Sequence, residues 1–392
     1  MENFVYHTPT KVYFGKGEEN KIGKIIKEYH PNKVLILYGG GSIKKIGLLD
    51  KVISLLKEEN LLYISIGGVK PNPELPFVYE VLKTSKEEGV DFVLAIGGGS
   101  VLDTAKDIAN GLANPNDDVW DYHLHKKEPK GTLHKGAILT IAAAGSEMSP
   151  SSVITNPDTE EKIGYLSEFN RFDFAIENPE LTYSVNKYQT ACGIVDIGMH
   201  TIERFFDIGE DTTLTDSLAL AVIKTVFKCG TVAYDEPTNY EARANIMWAS
   251  SIAHNGLTHM GRKFSLVVHK LEHELSAKHP DIAHGAGLAA LWCSWARYVY
   301  KSCLDRFYIY VKEIWNETEE NEQAILNGIK KQEDYYKSIG MPTSLEELGI
   351  KEDELEVLSL RCSNNKTKTI QGYKPLAYED ILNIYKLAYP KR

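Results

Sequence analysis

Cysteine is scarce in this chain, and the cysteines present do not form pairs. The five (Cys192, Cys229, Cys293, Cys303 and Cys362) are odd in number, widely scattered and include no CxxC. That usage argues against a disulfide framework and against a thiolate zinc site, and it fits a reducing cytoplasm. Basic charge is also in short supply. Lys and Arg number 44 against 54 Asp and Glu, the formal net charge is −10, and no block of five basic residues occurs. The balance speaks against a nucleic-acid or membrane partner while leaving room for a local phosphate pocket. Long apolar runs are missing as well, so no stretch is expected to cross a bilayer. The opening MENFVYHTPTKVYFG alternates like a strand and lacks the apolar core of a signal peptide. A cytoplasmic globular protein is the expectation that remains.

What is present divides into two rhythms. At 392 residues, with 43% hydrophobic and 25% charged residues, the chain can bury two sizeable cores. In the first half, short apolar runs at 34–38, 62–66, 92–96, 137–140 and 174–176 read as buried strands. The intervening 45–60, 74–88 and 100–112 carry helical spacing. Such alternation implies a parallel, Rossmann-like sheet covered by helices, an α/β dinucleotide-binding domain over 1–185. From about Asn186 long amphipathic stretches dominate, including 240–257 and 319–339, and no run of strands returns. Residues 186–392 are therefore expected to form an all-helical domain.

The strand at 92–96 runs straight into Gly97-Gly98-Gly99-Ser100 and a helix carrying Asp103. Glycines there let a pyrophosphate approach the backbone, and the N–H groups of a helix start bind anions. The same residues could equally make a tight strand–helix turn with Asp103 complementing the helix dipole, and the GxGxxG spacing is absent. A second cluster, Gly39-Gly40-Gly41-Ser42, follows the strand at 34–38 and precedes Lys44 and Lys45. With no carboxylate at that strand end, a 2′-phosphate is better suited than a free 2′-hydroxyl.

In the second half, Asp196 and His200 stand four apart, on one face of a helix, and HKLEHELSAKHPDIAHG adds His269, His273, His279 and His284. One carboxylate with three imidazoles suits a borderline divalent metal such as Fe²⁺ or Zn²⁺. Spacing alone does not choose between His269 and His273.

Nearly the whole chain resembles the iron-containing (group III) alcohol dehydrogenases, especially their butanol dehydrogenase-like branch. The likeness is carried by TPTKVYFGKG, YGGGSIKK, GGVKPNPE, GGGSVLDTAK, the GSE of AAAGSEMS, VITN, DIGMH, YEARANIMWASSIAHNGL, HKLEHELSA and DIAHGAGLA. It implies metal ligands at Asp196, His200, His269 and His284, which makes His273 a cleft residue near the substrate. It also implies pyrophosphate contacts at Gly97, Gly98, Gly99 and Ser100, with Asp103 close to the cofactor. Gly39, Gly40, Ser42 and Lys162 resemble contacts to the 2′-phosphate of NADP. Where the family usually has TGSE this chain has Ala144-Gly145-Ser146-Glu147, so a hydroxyl is missing while Thr140 remains upstream. Ser184-Val185-Asn186 replace a common interdomain proline, and FSLVV precedes His269. His279 has no ligand counterpart and reads as surface.

The implied reaction is hydride transfer between NADP(H) and a small uncharged aldehyde or primary alcohol, with the metal as Lewis acid and His273 as proton relay. Arg262 is the one arginine close in sequence to the histidines, which leaves little to capture an anionic substrate. A homodimer is implied by the resemblance alone. The rival readings are a polyol dehydrogenase, a metal- and NAD-dependent lyase of the dehydroquinate synthase-like class, and a non-catalytic nucleotide- or metal-binding protein.

Overall fold

The computed structural model describes residues 1–390. Eight strands form: β1 (Lys11–Phe14), β2 (Val34–Tyr38), β3 (Tyr63–Gly67), β4 (Phe92–Gly97), β5 (His134–Leu139), β6 (Ser151–Asn156), β7 (Glu161–Leu166) and β8 (Phe174–Glu177). The longer helices used below are, in chain order, α1 (Leu48–Glu58), α2 (Leu75–Glu88), α3 (Gly99–Ala113), α4 (Lys187–Phe205), α5 (Thr213–Asp235), α6 (Tyr240–His254), α7 (Val267–Lys278) and α8 (His284–Val299).

The chain forms two compact units, one containing 7–185 and 237–255, the other 1–6, 186–236 and the chain from Gly256 onward. Two segments thus fall on the other side of the division expected at 185/186: the first six residues join the helical unit, and α6 joins the sheet unit.

In the sheet unit the six strands run in the order β1-β8-β5-β4-β2-β3, and every neighbouring pair is parallel. β2 and β4 each have a strand on both sides, and all their residues are buried, as a sheet covered on both faces requires. Alternate side chains serve opposite cores. Leu35, Leu37, Val93 and Ala95 pack with Val78 of α2 and with Leu102 and Ile108 of α3. Val34, Ile36, Leu94 and Ile96 pack with Leu48, Val52 and Leu56 of α1, residues spaced four apart on one helical face. The helix expected over 45–60 is broken at Gly47, whose φ of 72° separates a short turn at Ser42–Lys45 from α1. The antiparallel hairpin β6–β7 lies outside the six-stranded sheet. Its residues alternate too weakly to stand out in sequence.

The helical unit is organised around α4, in which every residue from Thr190 to Phe205 is buried. Asn186 caps it, its side chain accepting from the Gln189 N–H at 2.8 Å. Small residues set close crossings: a Cβ on Gly230 of α5 would lie 2.9 Å from Ile194 of α4. The expectation of no apolar run long enough for a bilayer needs correction here. α5, with 23 residues and a mean hydropathy of 1.3, passes by length and composition, although core helices of globular proteins pass the same test. One face of α5 (Ala219, Ile223, Val226) is buried in the unit.

Candidate metal centre and cofactor cradle

The cradle residues lie in the sheet unit. β4 ends at Gly97, and Gly98 precedes the first turn of α3, where its carbonyl accepts from the Val101 and Leu102 N–H groups at 3.0 and 3.1 Å. No side chain caps α3, so the Gly99 and Ser100 N–H groups that precede these bonds are placed for an anion. Thr140 follows β5 and donates its N–H to the Gly97 carbonyl at 3.1 Å, which sets it beside the glycines at the same sheet edge. Part of the glycine requirement is internal. A Cβ on Gly98 would collide with Ile141, and one on Gly97 would lie 2.6 Å from Val101. Ala144 approaches Gly99, with 3.4 Å between its Cβ and a Cβ placed there.

Asp103 points into a polar knot. Its carboxylate accepts from Ser146 Oγ (2.6 Å), Lys106 Nζ (3.1 Å) and the Val153 N–H (3.1 Å). Lys106 is fully buried and also donates to Ser146 Oγ at 2.6 Å. The knot ties α3 to the Ala144–Glu147 turn and to β6, fixing the floor of the cradle. Behind the turn, Ser251 Oγ of α6 lies 2.7 Å from Glu147 Oε1 and 2.9 Å from Glu177 Oε1. One hydroxyl hydrogen serves one acceptor, so the other carboxyl is the protonated partner that donates to Ser251. Burial first, and the neighbouring Glu147 second, push Glu177 well above the usual carboxyl range.

The second glycine cluster ends β2, and Gly39 accepts the Gly68 N–H at 2.9 Å. A Cβ on Gly40 would meet nothing within 4 Å. Ser42 opens the short turn after it, and Lys44 Nζ lies 5.2 Å over the Tyr38 ring. Lys162 on β7 donates to Asn72 Oδ1 at 3.0 Å, and the Thr155 N–H donates to the Pro73 carbonyl at 2.8 Å. The hairpin therefore carries Lys162 to the loop that also borders Gly39.

The candidate metal ligands gather inside the helical unit from three helices. Asp196 and His200 come from α4, His269 from the first turns of α7, and His284 from the start of α8. Asp196 Oδ1 lies 2.9 Å from His200 Nδ1, 3.7 Å from His269 Nε2 and 3.9 Å from His284 Nε2. Asp196, His200 and His269 are buried, and both Asp196 Oδ1 and His269 Nε2 lack a hydrogen bond of normal geometry. Buried polar atoms left without a donor or acceptor cost free energy unless something else engages them. A divalent cation fits that requirement and this donor set. The electrostatics agree. Burial pushes Asp196 up, but the three imidazoles outweigh it and hold its carboxyl well below the usual range. Burial lowers His200 to about 4, leaving a neutral ring with a lone pair to donate. Burial also opposes charge on His269, yet Glu203 and Asp196 lift it to about 9, a mark of a cage that favours positive charge.

His273 sits one turn beyond His269, its ring centroid 5.7 Å from that of His284. His279 is outside the cluster: its Nε2 pairs with Glu354 Oε1 at 2.9 Å, and its side chain is 31% exposed. Arg262 is engaged elsewhere. It donates to the carbonyls of Phe205 (3.1 Å) and Asp207 (3.0 Å) at the end of α4 and faces Asp216.

Two family models cover the chain: "Iron-containing alcohol dehydrogenase" over residues 9–179 and "Fe-containing alcohol dehydrogenase family, C-terminal" over 190–389. The chain belongs to the iron-containing alcohol dehydrogenase family. Among its relatives, NADH-dependent butanol dehydrogenase A of Clostridium acetobutylicum is 40% identical over 99% of this chain and 100% of its own. NADPH-dependent aldehyde reductase YqhD of Escherichia coli is 36% identical over 89% and 90% of the two chains. The crystal structure of NADH-dependent butanol dehydrogenase A from Thermotoga maritima superposes with a TM-score of 0.95 at 39% identity, covering 100% of this chain and 99% of that one. The chain is thus an iron-type alcohol or aldehyde dehydrogenase of the butanol dehydrogenase kind.

Two carboxylates of this candidate metal site are not apparent from the sequence. Glu203 bonds the His269 Nδ1, and Glu272 bonds the His284 Nδ1. A signal existed: Glu203 continues the Asp196–His200 face one turn on, and Glu272 follows His269 by three residues.

Proposed function

We propose that the chain transfers a hydride between a nicotinamide dinucleotide and a small uncharged aldehyde or primary alcohol. In this reading Asp196, His200, His269 and His284 hold one divalent ion, Fe²⁺ or Zn²⁺. The observation that carries the reading is the convergence of three imidazoles on a buried carboxylate oxygen that no donor satisfies. The ion, when bound, supplies Lewis acidity toward a substrate oxygen. The chain supplies the rest. Gly97, Gly98, Gly99 and Ser100 hold the pyrophosphate with backbone N–H groups beside Thr140, Asp103 keeps that floor rigid, and His273 moves a proton beside His284. Arg262 is committed to the end of α4, which supports an uncharged substrate and weighs against the phosphorylated, carboxylated substrates of the rival lyase class. A cytoplasmic homodimer completes the reading; five free thiols support the compartment and family resemblance supports the dimer.

Cofactor choice is the finer part. The open space at Gly40, with Ser42 and Lys162 near, supports NADP(H) over NAD(H), whereas the Clostridium relative is named for NADH and the Escherichia relative for NADPH. One charge-assisted contact to a 2′-phosphate contributes roughly 1.5–3 kcal/mol, so NADPH is expected to be favoured about ten- to a hundredfold, and Gly40→Asp to reverse the order. The test is absorbance of the reduced cofactor on a panel of straight-chain aldehydes, glycolaldehyde, dihydroxyacetone and a 2-keto acid. Highest kcat/KM on butanal-like aldehydes is expected. Highest efficiency on the keto acid overturns the substrate reading, and equal or better efficiency with NADH overturns the loop reading.

A further inference from the structure

Two imidazoles of this cage, those of His269 and His284, are held from other helices, whereas His200 Nδ1 meets the Asp196 carbonyl of its own helix at 2.9 Å. α7 begins after Leu266, a residue in the left-handed region (φ 49°) that gives the helix no side-chain cap. The cap comes from α4 instead. Glu203 Oε1 accepts the Val268 N–H at 2.5 Å and Glu203 Oε2 accepts the His269 N–H at 3.1 Å. The same Oε2 accepts from His269 Nδ1. One buried carboxylate therefore closes the helix start and fixes the ring that the start presents. The pattern repeats one helix further on. Glu272 of α7, fully buried, accepts from Nδ1 of His284 at the start of α8, a helix whose capping position, Ala283, likewise offers no side-chain cap. Two glycines make the room. A Cβ on Gly287 would lie 2.7 Å from Glu272 Cγ and 3.0 Å from its Oε1, and a Cβ on Gly285 would lie 2.7 Å from the Cys192 Cα of α4.

We infer that Glu203 and Glu272 are positioning residues for the metal cage, each helix lending a carboxylate that orients the histidine of the next, and that Gly287 is the spacer that seats the second pair. The chemistry follows from proton placement. A carboxylate facing Nδ1 holds the hydrogen there, so Nε2 carries the lone pair and the ring plane is fixed. Both Nε2 atoms lie on the Asp196 side, at 3.7 and 3.9 Å from its Oδ1. Orienting partners of this kind typically change metal affinity 10–100-fold when removed. The inference rests on the four-ligand reading, and its test separates the two.

The experiment titrates purified protein with Co²⁺ and Zn²⁺ against a chromophoric chelator, with helicity followed by circular dichroism and the Co²⁺ visible spectrum recorded. Glu203→Gln and Glu272→Gln are expected to weaken Zn²⁺ roughly 10–100-fold and to alter the Co²⁺ band, with His284→Ala weaker still. Gly287→Ala removes no carboxylate and instead presses a methyl against Glu272, so it keeps the inference testable if a Gln variant misfolds. It is expected to shift affinity and spectrum in the same direction as Glu272→Gln. Wild-type affinity and an unchanged spectrum in folded Glu272→Gln, Glu203→Gln and Gly287→Ala overturn the positioning role while the ligand set stands. Wild-type protein that binds neither ion overturns both.

Discussion

The two units build their candidate sites in opposite ways. In the sheet unit the candidate cradle is mostly backbone: glycines at the ends of β2 and β4, and the uncapped first turn of α3. In the helical unit the candidate cage is all side chain, three imidazoles from three helices drawn onto one carboxylate oxygen. A backbone cradle is local, so one short run of sequence can contain it. A side-chain cage exists only once helices are packed, so its parts scatter and the residues that align them are read from coordinates.

That contrast is breakable at the cage first. His284→Ala is expected to bring metal content from about one ion per chain to near zero, because a four-ligand site rarely survives loss of a ligand. Elemental analysis of freshly purified protein checks it, and equal content in mutant and wild type would remove His284 from the ligand set. Next comes His273, which is near the cage and outside the four proposed ligands. His273→Ala is expected to lower turnover roughly 10²–10⁴-fold while metal content stays. A fall of only a few-fold would leave it lining the site, and loss of metal would mean that it and His269 have exchanged roles.

The cradle should respond to shape rather than chemistry. Gly98→Ala drives a methyl into Ile141 and is expected to destabilise the sheet unit by about 1–3 kcal/mol, whereas Gly40→Ala enters open space and should stay within about 0.5 kcal/mol. Thermal unfolding of both, with Ile141→Ala added to rescue the first, separates packing from ligand contact. No rescue would mean that Gly98 is needed for something other than room. The mildest expectation is a change of slope. Glu177 keeps its proton in the folded state well above the usual carboxyl range, so its contribution is complete below that range and declines as pH rises through the folded value. Glu177→Gln cannot ionise and should flatten the fall in stability as pH rises above the usual carboxyl range, read from denaturant midpoints. An unchanged slope would place the retained proton elsewhere.

Sequence made the sheet strands legible because buried parallel strands are continuous apolar runs, and only their ends moved, β3 by one residue and β5 by three at its start. It did not reveal β6–β7, a hairpin too polar to stand out. His269, His273, His279 and His284 drew notice by crowding and Asp196 by standing four residues before His200, but spacing left His269 and His273 equivalent until family resemblance separated them. Glu203 and Glu272 stayed hidden because a glutamate on a helix is ordinary until its carboxylate is seen capping the next helix. Asp103 was expected beside the cofactor, and its three bonds to Ser146, Lys106 and Val153 show it also as part of the floor.

The membership of α6 in the sheet unit has a consequence for how the chain is made. Ser251, which bridges Glu147 and Glu177, and His254, whose ring Nδ1 meets the Ala144 carbonyl at 2.5 Å, lie far downstream of the strands they complete. Emerging from the ribosome, residues 7–185 would carry two interior carboxyls with no hydroxyl between them and a bare surface over Gly145. The sheet unit must therefore wait, incompletely closed, while more than a full helix of the helical unit is synthesised. Its final locking awaits the emergence of Asn255, so a chain cut at the apparent boundary of 185 gives a sheet that lacks its latch.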